Sequence, residues 1–67
     1  MAPLTRKQRA EGVLAHLRAV GPSTVADIGS SLALNKRDTE DALWLLANAN
    51  KVEYDYPVSS PLVYKAT

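Results

Sequence analysis

The chain contains no cysteine. That excludes a disulfide framework, a thiolate zinc site and thiol chemistry, and it leads us to expect a reducing, intracellular setting, cytoplasmic or nuclear, rather than secretion. Glycine is scarce, with 3 residues at positions 12, 21 and 29, too scattered to form a phosphate-cradling loop. The single histidine, His16, has no second ligand candidate near it in sequence, so neither a metal site nor a Ser/His/Asp constellation is expected. Glu40 and Asp41 are neighbours on an expected helix and diverge, which makes them a poor acid/base pair. Long apolar runs are missing as well. The longest, Ala42 to Ala47, falls far short of the ~18 residues of a membrane span, and the first residues, Met1 to Arg9, hold no apolar segment of a secretory signal. These absences predict a protein with no enzyme activity, no cofactor, no metal and no membrane partner.

What is present is the composition of a folded domain: 46% hydrophobic and 22% charged residues. A length of 67 residues supports one domain, residues 1–67. A chain so short buries only ~60% of its unfolded surface, so its core must be dense in aliphatics. The formal net charge is only +1, yet the charge is unevenly spread. Arg6, Lys7, Arg9 and Arg18 outweigh Glu11 in the first twenty residues, while the remainder is net acidic. Affinity for nucleic acid would therefore rest on a local basic patch and a few contacts.

Periodicity divides the chain into four segments. Ala10, Val13, Leu14, Leu17 and Val20, with Ala15 beside them, recur at three- and four-residue steps and predict a helix from about Thr5 to Val20, capped by Thr5 and stopped by Gly21-Pro22. Thr24-Val25-Ala26-Asp27 reads as a capping box opening a short helix to Leu32, with Val25, Ile28 and Leu32 on one face. Gly29 lies inside that helix at a propensity cost of ~1 kcal/mol, which close backbone packing would explain. Asn35 caps a third helix running to about Ala49, with Thr39, Ala42, Leu43 and Leu46 inward and Asn50 as a left-handed terminator. Lys51 to Tyr56 alternates with period two, Pro57 to Pro61 is a turn by composition, and Leu62 to Lys65 is rich in β-formers, which together predict a hairpin.

Three helices followed by a hairpin give an α+β chain, mainly α. The very short link Ala33-Leu34 forces the second and third helices into a helix-turn-helix with the hairpin as a two-stranded wing. The layout resembles the winged helix-turn-helix superfamily of small transcription regulators. Residues 13–65 are also similar to the Zα domains, which bind Z-form DNA or RNA. In that family a basic residue opens the recognition helix, where Lys36 and Arg37 stand here. An asparagine follows one turn later, where this chain has Glu40. A tyrosine in the next turn stacks on a purine, where this chain has Trp44. A Pro-Pro-Leu-Trp-Lys-like segment ends the wing, and here it reads Ser60-Pro61-Leu62-Val63-Tyr64-Lys65. The resemblance implies nucleic-acid contacts at Lys36, Arg37, Glu40, Trp44, Ser60, Pro61 and Tyr64.

Physical chemistry supplies a reading of each beside the resemblance. Lys36 and Arg37 flank a helix N-terminus, which attracts phosphate, and Arg37 matches a guanine edge; the alternative is solvated i,i+4 pairing, Lys36 with Glu40 and Arg37 with Asp41. Trp44 lies off the inner stripe, and Leu45 further off still. As an exposed pair they would stack on a base or anchor an interface; the alternative packs Trp44 on Tyr56 or Tyr64. The cluster Arg6, Lys7, Arg9 is either a backbone clamp or a solvated helix start. The expected partner is double-stranded DNA, with Z-form nucleic acid as a variant, bound by a homodimer because one small module makes few contacts. The rival is a winged-helix adaptor or inhibitor that docks a protein partner through its acidic helix and wing with Trp44 and Leu45.

Overall fold

In a computed structural model of the chain, residues 4–55 and 62–67 are described. The expected wing turn, Pro57 to Pro61, and Tyr56 lie outside them, as do the candidate contacts Ser60 and Pro61.

Helix α1 spans Arg6–Val20 and opens on a complete capping box. The Thr5 hydroxyl accepts from the Gln8 N–H at 3.1 Å, and Gln8 Oε1 accepts from the Thr5 N–H at 2.9 Å. It ends where Gly21, at φ 95°, donates its N–H to the Leu17 carbonyl at 2.9 Å. Helix α2, Val25–Leu32, is capped by Thr24, whose hydroxyl accepts from the Asp27 N–H. It ends on Ala33 in the left-handed region, at φ 57°. Helix α3, Lys36–Asn48, is capped by Asn35, and Asn50 adopts the expected left-handed conformation at φ 59°.

The wing strands are β2, Val52–Asp55, and β3, Val63–Ala66, and a third strand precedes them in the chain: β1, Ser23–Thr24. The sheet is antiparallel in the order β1-β3-β2. The expected two-stranded wing therefore supplies two strands of a three-stranded sheet. Pairing of Ser23 with Tyr64 and Thr24 with Val63 sews the wing to the N-terminal cap of α2. That fixes the hairpin, marginal in isolation, against the helices.

One core joins all of this: Ala10, Val13, Leu14 and Leu17 of α1, Ile28 of α2, Ala42, Leu43 and Leu46 of α3, and Val52 of β2. Thr39, fully buried, donates its hydroxyl to the Asn35 carbonyl at 2.8 Å and so enters the core satisfied. Val20, expected on the inner stripe, is instead 66% exposed. It is the last helical residue, and the chain turns away at Gly21. Ala15, the other outlying member of that stripe, is also exposed. The architecture is the expected three-helix winged helix-turn-helix, α+β in class.

Candidate nucleic-acid interface

At 3.6 residues per turn, Lys36, Glu40 and Trp44 rise along one side of α3, with Arg37 beside them. All four are exposed, Trp44 by 60%. The inward side carries Thr39, Ala42, Leu43 and Leu46, so burial of that stripe is what turns the charged and aromatic residues outward. At the start of the helix the Asn35 carboxamide accepts from the Asp38 N–H at 2.8 Å. The N–H groups of Lys36 and Arg37 precede the first intrahelical bonds, and their positive end of the helix dipole adds to both side-chain charges.

An open groove of about 640 Å³ adjoins this ribbon. Lys36 and Glu40 form one wall, Thr24, Val25 and Ser30 at α2 another, and Leu62 from the wing borders it. Helix-turn-helix and wing thus converge on one concave surface. Lys36 Nζ lies 3.9 Å from Glu40 Oε1, a loose i,i+4 pair between well-exposed groups and weak for that reason.

Asp41 is not the solvated partner of Arg37 that i,i+4 spacing suggests. Arg6 of α1 reaches it with two parallel bonds, Nε to Oδ2 at 2.8 Å and Nη2 to Oδ1 at 2.7 Å. Those bonds hold the Asp41 carboxyl below the ordinary carboxylate range; burial opposes them in part, and the fields of Arg6 and then of Arg9 and Arg37 add to the lowering. The Arg6 guanidinium is raised in turn by its bond to Asp41. The N-terminal cluster is therefore not a free clamp. Arg6 is engaged with α3, and Arg9 folds back to donate to the Leu4 carbonyl at 2.9 Å.

Two further expectations are corrected. Leu45, expected exposed beside Trp44, is half-buried and packs against the core, because α1 lies along that side of α3 and shares a groove with it. The exposed apolar patch of α3 reduces to Trp44. Tyr64 does not receive Trp44: it faces Tyr54 across the β2–β3 register, with ring centroids 6.1 Å apart and planes tilted by 54°. Tyr64 itself is partly buried against the core, whereas Tyr54 is 65% exposed. Among the described residues Trp44 stacks on no other ring. The wing aromatic that sequence reasoning passed over is Tyr54, and its signal was the register that sets it opposite Tyr64.

No protein-family model matches the chain, and no curated protein sequence does. Solved structures do. The Zα domain of PKZ from Carassius auratus, determined in complex with Z-DNA, superposes with a TM-score of 0.83 at 22% identity, covering 92% of this chain and 97% of that one. The apo Zα domain of zebrafish PKZ gives 0.87 at 24% identity, over 91% and 94%. A PKZ Zα domain in complex with ds(CG)6 gives 0.76 at 27% identity, over 84% and 89%.

The fold is a Zα-like winged helix. The three neighbours are Zα domains rather than enzymes. Among the described residues no three of His, Cys, Asp or Glu group to hold a metal, and no helix is long and apolar enough to cross a membrane.

Proposed function

We propose that this chain binds double-stranded nucleic acid through the exposed ribbon of α3 and the adjoining wing, and that it favours the left-handed Z form. The observation that carries the reading is Trp44. A large aromatic side chain, 60% exposed, stands two turns above the basic helix start on a domain whose fold matches Zα structures solved with Z-DNA. An indole held at the surface by a rigid helix is a ready stacking platform, worth ~1–3 kcal/mol against a base. Lys36 and Arg37 at the helix N-terminus supply phosphate contacts, and Arg37 has the fork geometry to grip a phosphate or a guanine edge in two places. Glu40 sits between them and Trp44. It accepts from a base amino group but repels phosphate, so it trades affinity for selectivity. The module's small contact area also suits two copies on one duplex.

The test is titration of an alternating dC–dG duplex and a mixed-sequence duplex at several salt concentrations, with circular dichroism reporting handedness. The alternating duplex is expected to bind more tightly and to convert to the left-handed form. Lys36→Ala lowers the slope of log affinity against log salt by about one unit. Trp44→Ala costs ~1–3 kcal/mol, and Glu40→Gln tightens binding to both duplexes. A wild type that binds neither duplex at low salt sinks this reading in favour of a protein-docking module.

A further inference from the structure

The Arg6–Asp41 pair joins residues far apart in sequence, on two helices of which only α3 carries the proposed nucleic-acid surface. Asp41 stands one turn beyond Arg37 and three residues before Trp44, so it borders the exposed ribbon. An unmasked carboxylate there does two things. It adds a negative charge beside incoming phosphates, and it offers Arg37, four residues earlier on the same face, an intrahelical partner. The structure shows neither. Both Asp41 oxygens are taken by Arg6, at 2.8 Å and 2.7 Å, in the two-point geometry specific to a guanidinium and a carboxylate. Arg37 makes no ion pair or hydrogen bond among the described residues. The other cation of that cluster facing Asp41, Arg9, is committed to the Leu4 carbonyl.

We propose that Arg6 is a positioning residue for the α3 surface: by occupying both oxygens of Asp41 it masks that charge and leaves Arg37 free for nucleic acid. The inference rests on the nucleic-acid reading above. Arg6 acts through Asp41 and touches no ligand. A lysine does not replace it, since a single ammonium covers the two oxygens less completely than the fork does.

A set of variants titrated with the alternating dC–dG duplex tests this: Arg6→Gln, Asp41→Asn, the two combined, and Arg37→Ala alone and with Arg6→Gln. Arg6→Gln is expected to weaken binding on the order of five-fold at low salt, the scale of one compromised phosphate contact. Adding Asp41→Asn restores wild-type affinity within about two-fold, because the carboxylate that needed masking is gone. Arg37→Ala costs less in the Arg6→Gln background than in the wild type, since there Arg37 is already diverted. Thermal unfolding run in parallel shows that each variant is folded. Arg6→Gln binding as well as wild type overturns the proposal and leaves the nucleic-acid reading standing. So does a double variant as weak as Arg6→Gln, which makes Arg6 a direct phosphate contact. A wild type that binds no duplex removes both readings together.

Discussion

Gly29 is where one residue decides whether two helices can meet. It lies inside α2, where glycine costs ~1 kcal/mol relative to alanine. The reason is spatial: a Cβ built there stands 3.0 Å from the Leu34 carbonyl oxygen and 3.0 Å from the Thr39 hydroxyl. Neither neighbour yields readily. One is backbone, itself tied by the Leu34 N–H to the Gly29 carbonyl at 2.9 Å, and the other is held by its bond to Asn35. Gly29→Ala is therefore expected to destabilise by ~1–3 kcal/mol in urea unfolding, overpacking outweighing the propensity gain. Gly12, mid-helix in α1, has nothing within 4 Å of such a Cβ. Gly12→Ala is expected to stabilise by ~0.5–1 kcal/mol in the same assay. Equal effects at the two sites would mean that α2 and α3 do not approach as closely as described.

At the scale of elements, the start of α3 does double duty. Asn35 satisfies the Asp38 N–H through its side chain and the Thr39 N–H through its carbonyl, at 2.8 Å and 3.0 Å. It thereby fixes the direction in which Lys36 and Arg37 leave the helix. Asn35→Ala is expected to cost ~1 kcal/mol of stability, while Asn35→Ser or Asn35→Asp retains most of it, by chemical denaturation. Caps of this kind, and the stripes that follow them, are local signals, and so the helices were legible: Thr5, Asn35 and Asn50 act as their chemistry predicts, and Thr24 caps α2 through its hydroxyl, although the Asp27 side chain returns no bond to complete the expected box. What escaped depends on partners distant in sequence. Two residues, Ser23 and Thr24, cannot show an alternation; pairing with β3 makes them a strand. Leu45 reads as outward on a helix with one neighbour, but α3 packs on both α1 and α2, which widens its buried side. The partner of Asp41 is likewise set by packing distant in sequence. Spacing along a helix names Arg37, and only the packing of α1 brings Arg6 close. The outward ribbon of Lys36, Arg37, Glu40 and Trp44 was readable because it is the complement of a clear inner stripe.

For the whole molecule, the Arg6–Asp41 pair ties the helix that opens the described chain to the one at its centre, and it makes stability depend on acidity. The Asp41 carboxyl is depressed in the folded state, so its contribution is fully present above the ordinary carboxylate range, about pH 4. It is lost as pH falls through the depressed folded value. Arg6 stays charged throughout and adds no titration of its own. Unfolding followed from pH 7 to pH 2 is expected to show wild type losing more stability on acidification than Asp41→Asn. High salt narrows the difference, because the guanidinium is more than half exposed. Parallel loss in both proteins would mean that the pair contributes nothing to folding.

The strand order has a consequence for how the chain matures during synthesis. β3 lies between β1 and β2 yet is the last of the three to be translated. While residues 63–66 are still inside the ribosome, the two outer strands have an empty lane between them and no hydrogen-bonding partner in each other. All three helices are translated by then, but their α2 end is not yet sewn to the wing. Vectorial synthesis thus separates a helical stage from a single closing event. Insertion of one short segment completes every ladder in the sheet at once and brings Leu62 to the edge of the groove beside Lys36 and Glu40.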